Sequence, residues 1–85
     1  MAEKKEIYVR LLKPEGSLYE GYALAIRLPG VKGSFSVLPR HAPIISQMEK
    51  GKVIITKAPS GEKEEFEING GFVQVLNNEV IALVE

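Results

Sequence analysis

Cysteine and tryptophan are missing from this 85-residue chain, and histidine occurs once, at position 41. Without a thiol there is no disulfide framework, no cysteine nucleophile and no cysteine-based metal site, an absence that fits a reducing compartment. A lone imidazole and scattered carboxylates do not make a ligand set, so no metal is expected. An excess of either charge is missing too, because 11 basic residues balance 11 acidic ones. That balance leaves no electrostatic footprint for nucleic acid or an anionic membrane surface. Aromatic residues are few (Tyr8, Tyr19, Tyr22, Phe35, Phe66 and Phe72), and they are not interleaved with a basic stripe as a single-strand-binding face requires. No apolar run approaches the roughly 18 residues of a membrane helix. Met1-Ala-Glu-Lys-Lys-Glu has no apolar core behind its charges. The reading is a soluble, unprocessed chain without direct membrane insertion.

What is present points to strands. The length suits one domain, residues 1–85, burying about 60–65% of its unfolded surface, so a partner would add to its stability. From Glu6 to Leu12, Ile7, Val9 and Leu11 alternate with Tyr8, Arg10 and Leu12, the period of a strand. Pro14-Glu15-Gly16 ends it. Ser17 to Glu20 reads as a short strand, and after Gly21 a second runs from Tyr22 to Leu28, with Tyr22, Leu24, Ile26 and Leu28 expected on one face. Helix competes there, but seven residues between Gly21 and Pro29-Gly30 are short for one. Further strands are expected at Ser34–Val37, Lys52–Thr56, Glu64–Ile68, Phe72–Leu76 and Val80–Val84. Ser60-Gly61 and Asn77-Asn78 supply turns, and Gly70-Gly71 a bulge or corner needing positive φ or close backbone approach. Together these predict an all-β fold, a small β-sandwich of about eight to ten short, mostly antiparallel strands. Its function then belongs to loops or an exposed sheet face.

Residues 29–51 concentrate the prolines and glycines: Pro29, Gly30, Gly33, Pro39, Pro43 and Gly51. The expectation is a shaped loop rather than a regular element, because φ is restricted and N–H donors are lost. Phe35, Val37, Leu38, Ile44, Ile45 and Met48 are expected to be buried and to fasten it to the core. Ser34, Arg40, His41 and Ser46 would then be held in fixed places.

Catalytic chemistry finds little support. No serine sits on a nucleophile turn, and His41 reads as a loop or interface residue rather than a general base. Glu62–Glu65 reads as a solvated hairpin that also protects a sheet edge. The glycines do not lead into a helix at a phosphate-cradling spacing, so no nucleotide and no cofactor are expected.

Three motifs together carry a resemblance: Leu28-Pro29-Gly30 with Gly33 and a strand ending in Val37-Leu38-Pro39; His41-Ala42-Pro43 followed by two aliphatics; and Asn69-Gly70-Gly71-Phe72-Val73. From Ile7 to Val84 the chain resembles the N-terminal β-sandwich domain of the epsilon subunit of F-type ATP synthases. The resemblance implies a non-catalytic rotor subunit of the central stalk, packed on the gamma subunit and on the c-subunit ring. It would couple proton or other ion flow through the ring to ATP synthesis. It implies a peripheral place on the cytoplasmic face of the bacterial inner membrane. It also implies that His41, Ala42, Pro43 and Ser46 meet gamma, and that the loop around Gly33 and Ser34 meets the ring. Relatives often carry glutamate at the position of Ser34 and glycine at that of Arg40, which implies a rearranged polar pairing with the ring. The C-terminal helical hairpin of typical members, which inhibits hydrolysis and in some binds ATP, lies outside these residues, so neither property is expected of them. The alternative is a biotinyl or lipoyl carrier domain modified at Lys50 or Lys52, although that turn lacks the flanking pattern of either carrier. A general protein-binding sandwich would differ only in its partner.

Overall fold

The computed structural model describes residues 5–85, so the reading of Met1–Lys4 as free of a leader lies outside the described residues. Eight strands follow one another: β1 (Ile7–Lys13), β2 (Gly16–Gly30), β3 (Gly33–Val37), β4 (Ile44–Met48), β5 (Gly51–Lys57), β6 (Lys63–Ile68), β7 (Gly71–Leu76) and β8 (Glu79–Val84). One layer runs from the first half of β2 through β1, β8 and β7 to β4, and the other from β3 through the second half of β2 to β5 and β6. β1 and β8 pair in parallel, and the other pairings are antiparallel. Between the layers Ile7, Val9, Leu11, Val75 and Val80 meet Ile26, Leu28, Val53 and Ile55, all buried. Tyr19 and Phe66, partly buried, close the core with ring centroids 6.4 Å apart and planes at 66°. The alternation of β1 and β6 is as the pattern dictates, with Ile7, Val9, Leu11 and Ile68 inward and Glu65 and Glu67 exposed.

Strand β2 differs from expectation in two ways. It is one strand of 15 residues, running through Gly21, where two were expected. Its first half pairs with β1, from Lys13↔Gly16 to Ile7↔Ala23; its second pairs with β5 and β3 on either side. One bent strand thereby belongs to both layers. The β2–β5 register also slips between Ala23 and Ala25. Such a bulge shifts the alternation by one residue. Ala23 and Ile26 consequently both point inward while Tyr22 is 57% exposed, so Tyr22 does not share a face with Ile26. Its ring instead meets that of Tyr8 outside the sheet, at 5.1 Å and 72°.

The second correction falls in residues 29–51, which are not one loop. Ile44–Met48 is strand β4, paired with β7 from Ile44↔Val75 to Met48↔Gly71. Pro39 and Pro43 precede it and none lies within it, so its N–H groups are free to join a ladder. A strand with one face on the core exposes every second residue. Val37 and Met48 are buried and Phe35 and Ile44 partly so, but Ile45 is 78% exposed and Leu38 55%, where burial was expected.

Two turns are as the sequence requires. At the corner into β7, Gly70 and Gly71 have φ of 134° and 149°. A Cβ on Gly71 would run into the Leu83 carbonyl oxygen and come within 2.9 Å of the Val84 Cα. Between the paired Leu76 and Glu79, Asn77 and Asn78 have φ of 51° and 65°. That is the mirror-image turn that suits a twisted hairpin and that asparagine tolerates.

Candidate functional site

Shortening the proline-braced loop to Leu38–Pro43 sharpens it. Val37 is held to Ile26 at its start and Ile44 to Val75 at its end. Within it the His41 N–H donates to the Leu38 carbonyl at 3.2 Å, and Arg40 takes a left-handed conformation, φ 68°. Side chains of L-residues adopt that region at a cost of order 1–3 kcal/mol, which glycine avoids. The Arg40 N–H donates to the Asn78 Oδ1 at 2.8 Å, linking the loop to the β7–β8 turn.

His41 is half-buried, with its Nδ1 2.6 Å from the Ala42 carbonyl oxygen. A carbonyl only accepts, so Nδ1 carries the proton and donates. In the neutral ring Nε2 is then left to accept a hydrogen bond from a partner. Ala42 and Pro43 are exposed beside it.

The other expected site residues are not brought together with this corner. Ser34 is exposed, paired with Pro29 at the start of β3. About 13 Å of extended chain separates it from Leu38, at some 3.3 Å per residue. Ser34 and Arg40–Pro43 therefore stand at opposite ends of one strand, so Ser34 and Arg40, expected to share the polar pairing with the ring, are not brought together and Arg40 goes with the His41 corner. Ser46 lies within β4 opposite Val73, half-buried, its hydroxyl donating to the Gln47 carbonyl at 3.3 Å.

A feature that sequence reading missed adjoins the corner. The outward face of β4, β7 and β8 carries Ile45, Phe72 and Leu83, which are 78%, 59% and 56% exposed. Gln47, Phe72, Leu83 and Leu12 form one row across β4, β7, β8 and β1, and Ile45, Gln74, Ile81 and Arg10 the next. An open groove of about 630 Å³ runs along one end of this face, between Leu12, Lys13, Gln47, Phe72 and Leu83. Contiguous exposed apolar area of this kind marks an interaction surface.

The carrier alternative gains nothing from the geometry. Lys52 lies inside β5, its ammonium 3.4 Å from Glu65, and although Lys50 stands exposed at the β4–β5 bend, neither carrier's flanking pattern surrounds it. Among the described residues no three histidine, cysteine or acidic side chains gather closely enough to hold a metal ion.

Comparison with known proteins agrees with this geometry. Residues 6–85 match the family described as ATP synthase, Delta/Epsilon chain, beta-sandwich domain. An ATP synthase epsilon chain of Nitratiruptor sp. is 40% identical over 77 residues, covering 91% of this chain and 59% of its own. That of Desulfitobacterium hafniense is 38% identical over 77 residues, covering 91% and 57%. The chain thus spans somewhat over half the length of the curated relatives it matches. A chain of the cryo-EM structure of Euglena gracilis mitochondrial ATP synthase, OSCP/F1/c-ring, superposes with a TM-score of 0.89 at 21% identity, over 99% of this chain and 53% of that one. One from Tetrahymena thermophila, described as central stalk/c-ring, gives 0.76 at 19% identity, over 98% and 66%. The sandwich, its glycine corner and its His-Ala-Pro loop therefore have one home: the chain belongs to the β-sandwich domain family of the ATP synthase delta and epsilon chains.

Proposed function

We propose that this chain is the β-sandwich of a non-catalytic rotor subunit of an F-type ATP synthase. It grips the gamma subunit through the Arg40–Pro43 corner, Ser46 and the adjoining outward face of β4, β7 and β8. The β2–β3 hairpin around Gly33 and Ser34 rests on the c-subunit ring. Ion flow that turns the ring is passed through this block to the stalk, and so to ATP synthesis. A close-packed interior suits the task because it resists deformation under load. The polypeptide is held peripherally at the cytoplasmic face of the bacterial inner membrane by these contacts; no helix among the described residues could cross a membrane. It needs no cofactor and binds no nucleotide through these residues.

One observation carries the reading: Ile45, two residues past Pro43, and Phe72 and Leu83, one row further along, are exposed on the same outward face, so loop and sheet present one continuous surface. The separation of Ser34 from that corner by the length of β3 supports a second, distinct contact. Affinity purification from native membranes tests the proposal, with gamma and the catalytic subunits expected to come with the chain. His41→Ala should weaken the gamma complex and leave the far-ultraviolet spectrum of the free chain unchanged. Equal affinity of the variant would remove His41 from the contact, and absence of gamma from the purified material would refute the assignment.

A further inference from the structure

Asn78 makes three hydrogen bonds that join three separate parts of the chain. Its Oδ1 accepts from the Arg40 N–H at 2.8 Å, its Nδ2 donates to the Glu6 carbonyl at 2.6 Å, and its own carbonyl accepts from the Tyr8 N–H at 3.1 Å. The two side-chain bonds reach across 38 and 72 residues of sequence. Both require one orientation of the amide, oxygen toward Arg40 and nitrogen toward Glu6, because an N–H cannot accept and a carbonyl cannot donate. The left-handed turn, φ 65°, aims this side chain from the β7–β8 hairpin at the root of the loop. On the loop side, the bonded N–H belongs to the residue held at φ 68°, next to His41.

We propose that Asn78 is a positioning residue for partner binding: it latches the Leu38–Pro43 loop in its binding shape by holding the Arg40 backbone. This rests on the reading of that loop as the gamma contact. The latch acts by pre-organisation. Without it the loop must be ordered at the moment of binding, which weakens affinity without removing any group that touches the partner. Pro39 and Pro43 fix φ on either side, so the freedom that the Arg40 bond removes lies in the short span between them.

Two substitutions separate latch from scaffold. Asn78→Gly keeps the left-handed turn, which glycine favours, and removes both side-chain bonds. Asn78→Asp keeps an oxygen acceptor for the Arg40 N–H and turns a carboxylate oxygen, rather than a donor, toward the Glu6 carbonyl. The glycine variant should bind gamma about tenfold more weakly, equivalent to about 1.4 kcal/mol, with Arg40 amide exchange in the free chain accelerated several-fold by NMR. The aspartate variant should lose more thermal stability than the glycine variant and yet bind gamma within about threefold of the parent chain, as expected where affinity follows the retained acceptor. A merely structural role would make affinity follow stability instead, and that order would overturn the proposal. So would unaltered Arg40 amide exchange in the glycine variant, or accelerated exchange with unaltered affinity. If the parent chain fails to bind gamma, the functional reading falls, while the Arg40 exchange rates still decide whether the latch exists.

Discussion

Ile44 and Ile45 are adjacent and chemically identical, and they lie on opposite faces of β4, so truncating each to alanine separates folding from docking. Ile44 packs partly against the core, and Ile45 is 78% exposed. The change removes three methyl or methylene carbons, each worth about 0.8 kcal/mol when withdrawn from water. At position 45 almost nothing is lost on folding, and the free chain should stay within about 0.5 kcal/mol of the parent. If gamma covers the side chain, some 78% of that transfer energy is lost from binding, which is about 2 kcal/mol or roughly 30-fold in Kd. At position 44 the balance reverses: about 1–2 kcal/mol is lost from folding, less than the 2–5 typical of a fully buried isoleucine, with little direct effect on affinity. Urea titration of the free variants and calorimetric titration with gamma measure the two quantities. Equal losses in both assays for Ile44→Ala and Ile45→Ala would refute the face assignment. Unchanged Kd for Ile45→Ala would refute docking on this face.

Gly71→Ala should be among the costliest single changes in the chain. The new Cβ meets the backbone of Leu83 and Val84, its partners in the β7–β8 ladder, at φ 149°. Strain of about 1–3 kcal/mol plus a disturbed ladder consumes much of a total stability of about 4–13 kcal/mol for this length; a urea midpoint within experimental error of the parent would contradict the corner geometry. The β5–β6 hairpin offers a pH test. A hydrogen bond to Glu64 at 2.8 Å, and then that carboxylate's charge, hold the Lys57 ammonium above its ordinary 10.5. A raised lysine value stabilises the fold below the unfolded value and loses that contribution as pH climbs through the folded one. The small difference in melting temperature between the parent and Glu64→Gln should therefore persist from pH 7 to 10 and shrink above about 10.5. A difference that grows with alkalinity would contradict the pairing.

Much of this architecture is legible in the residues because local chemistry determines it. Ile7, Val9 and Leu11 alternate with Tyr8, Arg10 and Leu12, Gly70-Gly71 suits a bulge or corner with positive φ, and Asn77-Asn78 is a turn by its tolerance of positive φ. The misreadings fall where the decisive partner lies far along the chain. Gly21 reads as a break, yet β1 lines up opposite it and carries the strand through. Pro39 and Pro43 suggest a longer loop than exists, because the N–H groups of Ile44–Met48 find β7. Which of Ile44 and Ile45 faces inward depends on that register, and a shift of one residue would exchange them. The same distance hides the part of the site that motif spacing does not reveal. His41-Ala42-Pro43 is visible as a motif, whereas the exposed apolar residues on the face that continues it come from β4, β7 and β8, and Asn78 reaches its loop across 38 residues.

If gamma covers the outward face of β4, β7 and β8, β6, at the edge of the other layer, stays open to solvent. A chain without cysteine permits a direct measurement: single cysteines at Gln74, between the Ile45 and Ile81 positions on that face, and at the exposed Glu67 on β6. With gamma bound, maleimide labelling should slow by an order of magnitude or more at position 74, as for a thiol withdrawn from solvent at the core of an interface, and remain as fast at position 67 as in the free chain. Equal labelling of both sites in the complex, or protection at 67 alone, would contradict docking of gamma on this face.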